Sequence, residues 1–283
     1  MSAPPPPSLG KVLVVAGSDS GGGAGIQADI KAIMAQGAYA TTAISALTAQ
    51  NTLGVQDISP VLPAFVVSQM TSILSDIGAD MMKTGMLATR EVIEAVAEAR
   101  DKLAPKLPML VDPVIVATSG DKLLQDDAMD ALQSLLVNLA LLVTPNLPEA
   151  SLLTRRDVDS IDDMKRAADT LMEAGAHAAL IKGGHGSDKV VTDLLALQSG
   201  MHVFEHERLA TRNTHGTGCT LASALSGQIA KAMVADAPRD AAGRPGDATL
   251  RQATEIALDY VHQAIKSAPD IGAGNGPLNH GIE

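Results

Sequence analysis

The chain has 283 residues, 46% of them hydrophobic, and a formal charge of −11 at neutral pH. With two Phe, two Tyr and no Trp it lacks platforms for stacking bases, and its acidic balance offers no basic patch for a nucleic acid or an anionic membrane. A single cysteine excludes an internal disulfide framework and fits a reducing compartment. No apolar run reaches bilayer-spanning length and the N-terminus lacks the apolar core of a signal peptide, so a cytoplasmic protein is expected.

Residues 1–10, with the run Ala3-Pro4-Pro-Pro-Pro7, read as a disordered tail, residues 11–270 as one domain, and 271–283 as a loosely structured C-terminal tail. Lys11–Ala16 is a β-branched apolar run typical of a buried parallel strand. It opens into the glycine-rich loop Gly17–Gly25, and Ile26, Ile30 and Ile33 then recur at helical spacing until Gly37. The loop matches neither the dinucleotide G-x-G-x-x-G, because position 26 is Ile, nor G-x-x-x-x-G-K-[ST]. The alternation continues with a strand at Thr41–Leu47, a helix at Ala64–Ile77, a strand at Met81-Met82, a helix at Glu91–Arg100 and a strand at Met109–Val111. A helix at Ala128–Leu136, a strand at Leu141–Val143, a helix at Met164–Ala174 and a strand at Ala178–Ile181 follow. Val190–Leu197 and His202–Leu209 read as an antiparallel hairpin, and Ala235–Asp247 as a loop between the last helices. Strands alternating with helices predict an α/β fold with a mainly parallel sheet covered on both faces, whose ligand lies beyond the carboxyl ends of the strands.

Polar residues recur at those ends: Asp19, Gln50 and Asn51, Lys83-Thr-Gly-Met86, Asp112-Pro-Val114, Thr144–Glu149 and Lys182-Gly-Gly-His185. Repetition at one end of successive strands marks a site rather than a solvated surface. Asn213-Thr-His-Gly-Thr-Gly-Cys-Thr220 runs into an alanine-rich helix, so the unpaired N–H groups of Gly216–Cys219 form an anion site, and the same dipole favours a Cys219 thiolate. A buried cysteine before a core helix is the alternative. Anion site, strand-end lysines and the acids Asp112 and Glu149 suit phosphoryl transfer, the acids holding Mg²⁺ or capping loops and helices. His202 and His206 are expected as exposed side chains without a third ligand, and His215 either touches a ligand or makes local hydrogen bonds.

Together, Ala16–Asp29, Ala49-Gln-Asn51, Lys83–Met86, Thr144–Glu149, Lys182–His185 and Asn213–Thr220 resemble the hydroxymethylpyrimidine/phosphomethylpyrimidine kinases of thiamine biosynthesis, in the ribokinase-like superfamily. The resemblance is collinear from about Val12 to the last helix. It implies a doubly wound three-layer α/β/α fold, a homodimer, and Mg-ATP-dependent phosphorylation of 4-amino-5-hydroxymethyl-2-methylpyrimidine to its monophosphate and then its diphosphate. It further implies that Gln50 and Met86 line the pyrimidine site with Gly17, Asp29 and Val114 close by, and that Lys182 meets the ATP phosphates. Gly216, Thr217, Gly218 and Cys219 would form the anion hole, with Cys219 as base or as part of that hole, and Asp112 and Glu149 would lie near Mg²⁺. Ser20-Gly21 stands where many members have Pro-Ser, and no further catalytic domain is expected after the kinase. Pyridoxal kinases on the same fold are the nearest alternative; a sugar kinase, a catalytically inert sensor and a hydride-transferring enzyme fit the residues less well.

Overall fold

The computed structural model describes residues 9–116, 123–184, 189–235 and 237–282; the Pro-rich run Ala3–Pro7 and His185 lie outside them. Strand β1 (Lys11–Asp19) is buried along almost its whole length, and successive side chains point to opposite faces of the sheet. Leu13 and Val15 therefore enter one core, while Val12, Val14 and Ala16 enter the other. The first core is closed by α2 (Pro63–Asp76), α3 (Arg90–Leu103), α4 (Met129–Leu135), α5 (Leu147–Thr154) and α6 (Ile161–Glu173). The second is closed by α1 (Gly25–Ala35), α7 (Thr217–Val234) and α8 (Asp247–Lys266). Each fully buried Leu, Ile or Met contributes on the order of 1.5–3 kcal/mol, so the two layers hold the sheet in place mainly through aliphatic side chains, with Phe204 and Tyr260 packed against the second core.

The remaining strands are β2 (Tyr39–Asn51), β3 (Gly54–Pro60), β4 (Met81–Thr84), β5 (Met109–Val111), β6 (Leu142–Val143), β7 (Ala179–Ile181), β8 (Val190–Leu197) and β9 (Gly200–Glu207). They form a nine-stranded sheet in the order β3-β2-β1-β4-β5-β6-β7-β8-β9. The strands β2-β1-β4-β5-β6-β7 are parallel, with antiparallel β3 at one edge and the β8–β9 hairpin at the other. The mainly parallel α/β/α architecture agrees with the sequence expectation. Three details correct it. Strand β2 runs on through Gln50 and Asn51, β3 is a strand the periodicity does not reveal, and the second hairpin strand begins at Gly200 rather than His202. A register irregularity between Ala16 and Ser18 interrupts the β1–β2 ladder at Gly17, and such a bulge re-aims the chain where it leaves the sheet.

Helix α7 is the central helix of its layer. Its small residues let it pack against α1 on one side and α8 on the other, with Gly227 seated against Ile33 and Gln36. Residues 271–282 carry no helix or strand, yet they are tied at several points. His215 N donates to Gly276 O (3.0 Å), Asn275 N to Thr52 O (2.8 Å) and Asn279 N to Ala264 O (3.0 Å). His280 Nε2 meets Thr220 Oγ1 at 2.9 Å and the His280 carbonyl accepts from Tyr260 (3.0 Å). Burial, with Lys31 nearby, pushes the His280 imidazole down to about 4.

A histidine whose folded pKa is depressed contributes stability above its unfolded value of about 6.5 and loses it as pH falls towards the folded one. Wild type is therefore expected to lose stability between about pH 6.5 and 4 relative to His280→Gln, by at most about 3 kcal/mol, in paired urea titrations. Parallel curves for the two proteins would show that the buried imidazole is not responsible.

Candidate active site

The parallel strands end at a cavity of about 470 Å³. Its floor begins with Lys83. The residue has the same strand parity as Met81 and so points toward the α1/α7 layer, where Nζ meets Asp29 Oδ1 of α1 at 2.9 Å with both side chains fully buried. Ser223 of α7 donates to the same oxygen at 2.6 Å. Burial pushes the Lys83 ammonium pKa down, but the charges of Asp29, Cys219 and Asp112 outweigh it and hold the group above the usual lysine range. Lys83 lines the cavity and Asp29 does not, which corrects the expectation that Asp29 lies against the ligand. Asp29 sits beneath the floor and holds the lysine.

Above this floor stands the N-terminus of α7. Gly216 is its N-cap at φ +81, and no side chain caps the helix. A Cβ on Gly216 would collide with the carbonyl of Gly23, so the two glycine loops are in backbone contact. Among the described residues, the N–H groups of Gly218 and Cys219 have no acceptor. Lys182 stands beside them: a methyl group on Gly218 would lie 3.1 Å from Lys182 Nζ. Free N–H groups, a helix N-terminus and an ammonium thus converge on one point, as an anion site requires.

Lys182 also pairs with Asp112 Oδ1 at 3.0 Å, and that oxygen accepts from Thr144 Oγ1 at 3.2 Å. Burial lowers the Lys182 pKa, but Asp112 and Glu149 outweigh it and keep the ammonium charged. Glu149 completes a capping box on α5 with Asn146, its carboxylate accepting from Asn146 N and its own N–H donating to Asn146 Oδ1, both at 2.9 Å. The acid is therefore a cap that also faces the cavity, where burial and the Asp112 charge push its carboxyl up to about 7. Asp193, a lone acid inside β8, pins the lysine's loop by accepting from Gly183 N at 2.8 Å.

Cys219 lies half-buried on the cavity wall. Of the two readings of Cys219, the geometry favours the buried thiol, because burial pushes it up to about 12 despite Lys83 and the Gly25 N–H. Gly17, Gln50, Met86 and Val114 line the other wall, where a methyl group on Gly17 would lie 3.2 Å from Met86 Sδ. Thr217 joins Gly216 and Gly218 at the anion end. Neither His202 nor His206 is an exposed side chain as expected; both are half-buried, and His206 stacks on His262 of α8 at 5.6 Å, these two facing the cavity. His215 bonds Asp19 at 2.9 Å. The sequence marks Lys83 only as a strand-end lysine and gives Asp193 and His262 no role. A lone charge inside an apolar strand is a signal for the first two, whereas nothing local marks His262.

The doubly wound sheet and its cationic strand-end cavity define a small-molecule phosphotransferase of ribokinase-like fold. The phosphomethylpyrimidine kinase family model matches residues 19–279, and the chain belongs to that family. It is 42% identical over 274 residues to the hydroxymethylpyrimidine/phosphomethylpyrimidine kinase of Bacillus subtilis (strain 168), covering 96% of this chain and 95% of that protein. It is 43% identical over 271 residues to the thiamine biosynthesis bifunctional protein ThiED of Geobacter sulfurreducens, covering 96% of this chain and 52% of the relative. Among solved structures, Staphylococcus aureus pyridoxal kinase in complex with pyridoxal superimposes with a TM-score of 0.83 at 30% identity, covering 97% and 94% of the two chains. The phosphomethylpyrimidine kinase of Clostridium difficile 630 gives 0.75 at 33% identity, covering 90% and 99%.

Breaking a buried ion pair on one side strands the other charge, at about 3–5 kcal/mol, whereas replacing both partners with apolar groups is often neutral. Asp29→Leu and Lys83→Met are each expected to cost about 4 kcal/mol in urea unfolding, and the double variant to recover more than half of the summed loss. Strictly additive losses would show that the two groups act independently.

Proposed function

We propose that the protein phosphorylates 4-amino-5-hydroxymethyl-2-methylpyrimidine from ATP and then phosphorylates the monophosphate, in thiamine biosynthesis. The observation that carries this is the convergence of Lys182 with the unpartnered N–H groups of Gly218 and Cys219, opposite a wall formed by Gln50, Met86, Gly17 and Val114. The family match and the names of the relatives supply the substrate.

In this reading the hydroxymethyl oxygen attacks the γ-phosphorus, its O–P bond forms as the bond to the bridging oxygen breaks, and ADP leaves. Lys182 and the N–H groups of Gly218 and Cys219 face the oxygens over which charge spreads. The alcohol proton is lost late, to a phosphate oxygen, when the alcohol has become a stronger acid. A resident thiolate is not required, which agrees with the raised Cys219 thiol. The second acceptor is a phosphate oxygen that carries no proton at neutral pH, so one anion hole without a dedicated base serves both steps.

Asp112 and Glu149, with the Thr144 hydroxyl between strand ends, offer only hard oxygen donors. Among the described residues no group of three or more His, Cys, Asp or Glu could hold a metal ion. Two carboxylates that leave the other positions to water and phosphate fit Mg²⁺, which when bound neutralises charge on the phosphate oxygens. The reading includes a cytoplasmic location, in line with one cysteine; no helix among the described residues is long and apolar enough to cross a membrane. It also includes a homodimer, supported by an exposed apolar strip at Leu47, Leu53, Leu62 and Phe65, on or beside β2, β3 and α2.

Purified protein with ATP and Mg²⁺ is expected to carry the pyrimidine to its diphosphate, with products resolved by mass. Turnover of pyridoxal alone would keep the phosphotransferase and overturn the substrate. In the ligand-free protein, alkylation of Cys219 by iodoacetamide should keep rising with pH through pH 10, because the thiol is pushed up to about 12; a plateau near pH 8 would restore the thiolate base.

A further inference from the structure

The Asp19 carboxylate accepts from Gly21 N (2.8 Å), Gly23 N (3.0 Å), Ala24 N (2.8 Å) and His215 Nε2 (2.9 Å). Burial raises its pKa, but the bonds from His215, Ala24 and Gly21 outweigh this and hold it below the usual carboxylate range. An ionised carboxylate only accepts, so His215 Nε2 carries a proton. Gln50 Nε2 is placed 3.3 Å from that same nitrogen, but a protonated nitrogen has no lone pair with which to accept and must face an acceptor.

The other end of the amide gives an independent constraint. Thr48 Oγ1 lies 3.0 Å from Ser18 O and 3.0 Å from the atom placed as Gln50 Oε1. Its one proton serves Ser18 O, which can only accept, so the amide group facing Thr48 must be a donor. Oxygen and nitrogen of a carboxamide exchange by a half-turn, and the surrounding protons decide between them. Both constraints select the carboxamide a half-turn from that placement: Gln50 Oε1 toward His215 and Nε2 toward Thr48. The backbone cannot rotate to relieve this, because Ser20 Oγ clips Gln50 from both sides, donating to its carbonyl and accepting from its N–H at 2.8 Å each.

We propose that His215, held by Asp19 as the Nε2–H tautomer, is a positioning residue for substrate choice: it locks the Gln50 amide so that its second N–H is offered to the cavity. The ligand this selects is a planar heterocycle with an acceptor ring nitrogen. Asp19 and Ser20 are the supports of the lock, and Ser20 is one of the two positions where this chain departs from the Pro-Ser of many family members.

The proposal rests on the pyrimidine reading for its substrate but not for its tautomer, and the test separates them. In histidine ¹⁵N-labelled full-length protein, the resonance lost in His215→Leu is expected to report protonated Nε2 and bare Nδ1; the opposite tautomer overturns the lock. Kinetics then compare hydroxymethylpyrimidine with its two ring-nitrogen deaza analogues. Wild type should disfavour one analogue by roughly tenfold, the size of one lost hydrogen bond. Gln50→Glu keeps the acceptor toward His215 and removes the NH₂; it should raise KM for the parent roughly tenfold with kcat nearly unchanged, and abolish that discrimination. His215→Leu should do the same to a smaller degree. Discrimination that survives Gln50→Glu overturns the proposal, as does a loss confined to kcat for all substrates. If wild type phosphorylates no pyrimidine, the functional reading fails while the tautomer still decides the lock.

Discussion

The buried pair of Lys83 and Asp29 is the interaction on which the site depends. Removing two charges from water costs several kcal/mol per ion after relaxation, and a fold assembled for stability alone would fill the space with Met and Leu. The charges meet where β4, α1 and α7 meet, with Ser223 as the third member. The glycine loop enters α1, the Cys219 loop enters α7, and Lys83 ends β4. Fixing these elements to one carboxylate sets the distance between the two glycine loops, and the collision that any side chain at Gly216 would make with Gly23 shows how small that distance is.

A protein with net charge −11 repels polyanions at long range, yet its cavity is built to receive phosphate. Short-range geometry resolves this. Salt screens exposed charges over about 8–10 Å, whereas Lys83 and Lys182 are withdrawn from solvent and face the cavity at close range. Their counter-charges, Asp29 and Asp112, keep both ammoniums protonated, and Glu149 shows the cost of burying an acid there, with the Asp112 charge adding to it. The site is therefore poised between excess cation at α7 and excess carboxylate at α5, with the phosphates expected between them.

Much of this was legible. Alternation of apolar strands with helices predicted the layers, and the rule that ligands lie at strand ends brought Gln50, Met86, Asp112, Val114, Glu149 and Lys182 to one cavity but not Asp29. That exception was itself written in helical spacing: Ile26, Asp29 and Ile33 share the buried stripe of α1, a position from which a side chain meets the sheet and not the ligand. The sequence left Cys219 open between a thiolate and a buried thiol, because the helix N-terminus contributes only about 0.3–1 kcal/mol at exposed sites and the depth of burial that opposes it has no local signal. Strand β3 was missed because Val55 to Pro60 is an exposed, polar edge whose only reason to extend is its partner. The His206–His262 stack joins residues on separate elements, and no local pattern encodes it.

The ties made by residues 271–282 also constrain how the molecule is assembled in time. Gly274 bonds Thr52 across 222 positions of sequence, and the Gly276 carbonyl holds the amide of His215. Contacts so distant along the chain require closure of the largest loops and are made late in folding. The sheet and both helical layers can form around residues already synthesised, but the rim of the cavity acquires its last ties only when the segment beyond α8 has emerged.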